Sequence, residues 1–270
     1  MNKLADNVGS ALTSLLANKL RAVLTTIGIG IGIAAVIVLV SLGNSVQDYL
    51  NRQLLSVGTD LIAISPQVDF AGPAVDRGSR LAANSLTQKD LTLLSDPFSL
   101  PNVKSIVPLM LATRLTTYAQ NTESAQVYGT TASYFDTLNR AVASGELFTD
   151  DDVTATARVA VLGQTTVKNL FPADVSPIGS TIRIGDVSFR VIGTLQKTGG
   201  GGGGGNDQDD LIIVPLSAAQ TFLVTTRDVS GQHPLQAIYL KAQVPAAVDD
   251  IALTATAILH LSHRIKPGKD

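Results

Sequence analysis

Apolar positions run almost unbroken from Val23 to Leu42 (VLTTIGIGIGIAAVIVLVSL), and the 26 residues between Arg21 and Asp48 carry no charge. A helix of about 20 residues, rising 1.5 Å at each, crosses a hydrocarbon core of roughly 30 Å. The stretch therefore predicts a transmembrane helix over 22–44. Its β-branched run Val36-Ile37-Val38 would weaken a helix in water, but in lipid the backbone must bond to itself. A cleaved signal peptide has a shorter apolar stretch, of about 7–15 residues, and does not follow a 21-residue head. Within that head Leu4, Val8, Leu12, Leu15 and Leu16 recur at helical spacing, while Asp6, Asn7, Ser14 and Asn18 fall elsewhere around the turn. This predicts an amphipathic helix over 1–21 lying on the membrane surface. Beyond the span, Val46, Tyr49, Leu50 and Leu54 continue the helical spacing as a stalk over 45–57.

From residue 58 the apolar runs shorten and alternate with turn residues. Strands are predicted at 60–65, 105–108, 111–118, 125–129, 158–162, 181–184, 189–194, 211–214 and 236–242. Helices are predicted from a Ser85 cap to Ser95, over 133–139, up to Leu170, after Pro215, and from Val244 to His263. Gly185-Asp186 marks a hairpin turn. The mixture implies an α+β fold: a mixed α/β domain of small βαβ-like units with an inserted subdomain.

Charge orients the chain. Residues 1–21 hold Lys3, Lys19 and Arg21 against Asp6, net +2; the remainder holds 17 bases and 21 acids, net −4. With Lys19 and Arg21 as membrane-edge anchors, the N-terminus is predicted to be cytoplasmic and everything past about residue 44 outside. A net charge of −2 and a pI of about 5.9 argue against nucleic acid as a partner. The absence of cysteine removes disulfides, thiol nucleophiles and cysteine zinc sites.

Other candidate chemistry is sparse. Gly28 and Gly32 form a GxxxG pair, which in lipid permits close helix–helix contact. Gly199–Gly205 is a run of seven glycines with no Lys-Ser or Lys-Thr after it, so it reads as a hairpin tip and not as a phosphate-binding loop. The clusters Asp150–Asp152 and Asp207/Asp209/Asp210 lack the ligand spacing of a calcium loop and read as solvated turns. His260 and His263 sit at i,i+3 without a third metal ligand and suit a helix C-terminus. No nucleophile elbow or zinc-protease motif occurs, so no catalytic, cofactor or metal site is predicted and the chain is not expected to be an enzyme.

Ala17-Asn18-Lys19-Leu20-Arg21 followed by LTTIGIGIGIAAVIVLVSLG resembles the entry into the first membrane helix of MacB-type ABC transporter permeases, within the wider FtsX-like group. Later segments follow in the family's order. They are Gly58-Thr59-Asp60-Leu61-Ile62, Val127-Tyr128-Gly129-Thr130 with Tyr134-Phe135, Val159 to Gly163, Pro177-Ile178-Gly179, Phe189 to Gly193, Asp207 to Asp210 before Ile213-Val214-Pro215, and His263-Arg264-Ile265. The resemblance implies a MacB-like periplasmic core domain with a porter-like part over 58–130 and 230–265 and an insert over 131–229. It further implies a permease that dimerises, a separate or fused ABC ATPase partner, contact with membrane lipid, and in some cases a periplasmic adaptor.

Family members have four membrane helices, so the resemblance casts these 270 residues as the N-terminal part of a permease for export or efflux. The alternative is a single-span protein with an extracytoplasmic binding or sensing domain.

Overall fold

A computed structural model describes residues 20, 23–24, 27–41, 60–66, 86–198, 207–224, 227 and 231–263. The chain divides into two compact units, Met1–Leu55 and Ser56–Asp270. In the first, residues 27–41 are helical. From Ile27 to Val40 every large apolar side chain on this helix is more than half exposed, so it is apolar on all sides. No helix among the described residues is long and apolar enough to cross a membrane; the predicted span is described only in part. The predicted surface helix, apart from Leu20, and the predicted stalk lie outside the described residues.

The second unit is mixed α/β. Its strands are β1 (Leu61–Ile64), β2 (Val103–Tyr118), β3 (Asn121–Thr130), β4 (Val142–Gly145), β5 (Val159–Leu162), β6 (Thr181–Ile184), β7 (Val187–Leu195), β8 (Leu211–Pro215) and β9 (Ala237–Ala242). Its helices are α1 (Gln88–Leu94), α2 (Ser133–Thr137), α3 (Asp150–Thr154), α4 (Gln164–Leu170), α5 (Leu216–Ala218), which runs into a π-turn over Ala219–Leu223, and α6 (Val248–His263).

β2 organises the unit because it changes partner halfway. Val103–Leu109 pairs antiparallel with β9, which pairs antiparallel with β1. Met110–Tyr118 pairs antiparallel with β3. From β3 the pairing continues to β8, β5 and β7, then through β6 back to Thr116 and Thr117 of β2. Six strands thus close a ring, which removes their free edges. The expected gap between strands at 105–108 and 111–118 is absent. Pro108, which donates no hydrogen bond, stays in register opposite Ile238. Thr130 Oγ1 donates to its carbonyl at 2.8 Å.

Side-chain alternation assigns the two cores. On β5 and β8, Ala160, Leu162, Ile212 and Val214 face one cluster together with Ile182, Phe189 and Val191. Val159, Val161, Leu211 and Ile213 face the other, against Tyr134, Phe135 and Phe148. Both strands are buried on both faces, which is why they read as continuous apolar runs instead of alternating ones. The β1-β9-β2 sheet carries α1 and α6 on one face, where Ile62, Ile64, Ile238 and Leu240 meet Leu94, Ile251 and Ala255.

Two short elements were not predicted. β4 is four residues long and half of it is Ser and Gly, so it has almost no strand signature. α3 begins at Asp150, where a turn was expected. The Asp152 carboxylate accepts from the Thr149 N–H at 2.8 Å and its hydroxyl at 3.0 Å, and three aspartates occupy a first turn that favours negative charge.

Candidate functional site

Lys19 and Arg21 lie outside the described residues. Gly28 and Gly32 are helical, one turn apart, and a Cβ at either would meet nothing within 4 Å. Packing within the described chain therefore does not require glycine at these positions.

Gly199–Gly205 also lies outside the described residues, but the two strands' ends that carry it are fixed in detail. Asp209 is 2% exposed, and its two carboxylate oxygens accept from the Thr198 N–H at 2.9 and 3.2 Å, which ties the two sides of the loop together. Asp207 accepts from the Asp209 N–H at 2.9 Å and from the Thr165 hydroxyl at 2.7 Å, and Thr166 Oγ1 donates to Asp210 at 3.0 Å. Thr165 and Thr166 open α4, so the start of that helix grips the acidic strand. Arg140 reaches across from before β4, donating to the Gln208 carbonyl at 2.8 Å and to the Thr198 hydroxyl. The reading of Asp207, Asp209 and Asp210 as a solvated turn is thus corrected: all three brace the loop through hydrogen bonds, and Asp209 is a buried carboxylate that needs them.

The hydrogen bonds from Thr165 and the Asp209 N–H hold the Asp207 carboxyl below its ordinary pKa, with Lys197 and Lys168 helping. Glu123, at the start of β3, moves the other way. Desolvation raises it, and nearby Asp210 adds repulsion, although Asn169 Nδ2 donates to it at 2.6 Å. Its Oε2 is buried without a hydrogen-bond partner. Among the described residues no group of three or more His, Asp or Glu side chains could hold a metal ion.

A second brace joins the two helices on the β1-β9-β2 sheet. Asp90 is 1% exposed, and its Oδ2 accepts from the N–H and hydroxyl of Thr87, both at 2.9 Å, capping α1. Its Oδ1 accepts from Ser262 Oγ at 3.0 Å, on the last turn of α6. His263 Nε2 approaches Asp90 Oδ2 to 3.0 Å, off the geometry of a hydrogen bond. His263 therefore has a specific neighbour beyond the helix-end dipole expected for it.

The predicted cap, Ser85, lies outside the described residues, and Thr87 caps α1 instead through a T-x-x-D spacing to Asp90 that the sequence reading passed over. Arg140 offered no such local signal, because its partners lie 58 and 68 residues away.

A sequence profile of the MacB-like periplasmic core domain matches residues 22–258. The chain belongs to that family. Among curated relatives, the macrolide export ATP-binding/permease protein MacB of Syntrophobacter fumaroxidans is 34% identical over 200 residues, which is 74% of this chain and 27% of that protein. The protein of the same name from Rhodospirillum rubrum is 32% identical over 266 residues, 96% of this chain and 38% of its own length. The chain thus spans between a quarter and two fifths of these relatives. Among solved structures, the periplasmic region of MacB from Actinobacillus actinomycetemcomitans aligns with a TM-score of 0.61 and 24% identity, over 77% of this chain and 86% of that one. The extracellular domain of YknZ, a noncanonic ABC-type transporter from Gram-positive bacteria, aligns with a TM-score of 0.58 and 19% identity, over 76% and 96%. These two likenesses establish the mixed α/β fold of a MacB-like core. The braced loop and the Asp90 contact are accordingly features of a MacB-like domain.

Proposed function

We propose that this chain is the membrane-anchored N-terminal part of an ABC transporter permease working in export or efflux. Residues 22–44 span the cytoplasmic membrane, 1–21 lie on its inner surface, 45–57 form a stalk, and 58–270 stand outside. The porter-like part comprises 58–130 and 230–265, with 131–229 inserted. The observation that carries this reading is a helix, apolar and exposed on every side, directly ahead of a MacB-like core. Such a helix belongs in lipid. Its nine large apolar side chains between Ile27 and Val40 would each gain about 1.5–3 kcal/mol on leaving water. The positive head, with Lys19 and Arg21 at the membrane edge, favours a cytoplasmic N-terminus.

On this reading the chain has no ATPase activity. A separate or fused ABC ATPase supplies the motion, a second permease copy packs against Gly28 and Gly32, and a periplasmic adaptor is a further partner. The curated relatives' names make a macrolide the first substrate to test.

The deciding experiment is affinity purification of the chain from membranes in mild detergent. Recovery of an ABC ATPase with it, and no ATP hydrolysis by the chain once stripped of that partner, is the expected result. ATP hydrolysis by the pure chain would sink the reading.

A further inference from the structure

We propose that Glu123 and Asp210 share one proton in acid, forming a carboxyl–carboxylate clasp between the start of β3 and the acidic arm that leads into β8. The proposal concerns the second unit alone and is independent of the transporter reading. β3 and β8 are parallel neighbours, with Gln126 opposite Leu211. Ala125 and Val127 of β3 face one cluster together with Ile212 and Val214 of β8. Successive side chains point to opposite faces of a strand, so Glu123 and Asp210 fall on that same face, at the end where both strands begin.

Their hydrogen bonds leave one oxygen of each for the other. From α4, Asn169 Nδ2 donates to Glu123 Oε1 at 2.6 Å and Thr166 Oγ1 donates to Asp210 Oδ1 at 3.0 Å. Glu123 Oε2 is buried without a hydrogen-bond partner, and the Asp210 carboxyl stands within hydrogen-bond reach of Glu123. Ionised carboxylates only accept, whereas a protonated one donates through its O–H. A buried acceptor facing a second acceptor is left unsatisfied, which is costly. One proton turns the facing pair into a donor and an acceptor.

The other charged groups on the surrounding elements are engaged elsewhere. On β2, Thr116 stands opposite Glu123, and Arg114, on the same face, donates to the Leu223 carbonyl. On β6, Ile184 faces the cluster, which turns Arg183 to the other side. Asp207 is held by the Thr165 hydroxyl and the Asp209 N–H, and it draws Lys197 and Lys168. As pH falls, solvent supplies a proton to Glu123 Oε2. The new O–H donates to Asp210 Oδ2, while Asn169 keeps Oε1. Burial raises the Glu123 pKa above 4.5 and the Asp210 charge adds to it, against the Asn169 bond. The folded protein therefore takes up this proton more readily than the unfolded chain, and the clasp closes as pH falls through the folded value. At neutral pH the same two groups repel.

Glu123 and Glu146 are the two glutamates of the chain, so labelling with carboxyl-13C glutamate gives two side-chain signals to follow by NMR. The Glu123 signal is titrated in the full chain in detergent micelles, in the parent and in Asp210→Asn, with the exposed Glu146 as the reference within each sample. The expected result is a Glu123 midpoint lower by about half a pH unit or more in Asp210→Asn. A second measurement does not depend on that variant. The Asp210 N–H, which donates to the Asp207 carbonyl at 3.0 Å, is followed by hydrogen exchange in the parent and in Glu123→Gln, whose side-chain amide donates at every pH. Protection should be several-fold greater in Glu123→Gln at neutral pH and equal to the parent's in acid. A Glu123 midpoint unmoved by Asp210→Asn, or a protection ratio that is the same in acid as at neutral pH, would overturn the proposal.

Discussion

Asp209 shows how much a single buried carboxylate can hold. It is 2% exposed and joins the two sides of the glycine loop through one N–H. Asp209→Ala removes the charge-assisted bond that the buried carboxylate accepts from the Thr198 N–H and should destabilise the second unit by about 1–3 kcal/mol in chemical denaturation. Asp150→Ala, on an exposed helix start, should change stability by about 0.5 kcal/mol or less. Two neighbours should give opposite pH responses. Asp207 is held below its ordinary value of 3.8, so its contribution is fully present above that pH and is lost as pH falls through the folded value. Glu123 is raised above 4.5, so its ionisation weakens the fold at neutral pH, and the penalty is relieved as pH falls toward 4.5. Urea midpoints across this range should show Glu123→Gln more stable at pH 7 and without the acid-side gain, and Asp207→Asn without the loss at the lowest pH. A Glu123→Gln profile superimposable on the parent would contradict this assignment. Spacing alone could mark these acids as a cluster, but their partners on α4 and near β4 become neighbours only when the ring closes.

Among the elements, the legible ones were those with a strong period or a continuous apolar run. β5 and β8 announced themselves as RVAVL and LIIV, and α6 as a long amphipathic helix. The unbroken β2 was hidden because Pro108 mimics a stop, and the partner exchange at Leu109/Met110 has no sequence signature at all. The closed ring was equally invisible, since β6 returns to β2 across more than sixty residues (Thr116 to Ile184). Because the base of the glycine loop is braced independently of its tip, cutting Gly199–Gly205 to two glycines should leave the fold intact. Loop-closure entropy predicts a gain of about 1 kcal/mol or less, readable as a small rise in Tm. Loss of cooperative unfolding would show that the tip itself carries structure. On the apolar helix over 27–41, a Cβ at Gly28 or Gly32 meets nothing within 4 Å, so Gly28→Ile with Gly32→Ile probes contact with another molecule. Energy transfer between labelled chains in liposomes should fall several-fold if that face meets a second copy.

The molecule as a whole joins an apolar helix, exposed on every side, to a MacB-like core whose first strand follows it in sequence. Family membership was legible because many short segments kept their order over most of the chain, and no single motif decided it. The central claim is that the helix anchors the core outside the cell membrane with the head inside. Single cysteines at Ser10 and at the exposed Ser144, in a chain that otherwise has none, test it directly with a membrane-impermeant maleimide on intact spheroplasts. Labelling of Ser144→Cys from outside, and of Ser10→Cys only after lysis, is the predicted result. Labelling of both from the same side, or recovery of the chain away from the membrane fraction, would contradict it.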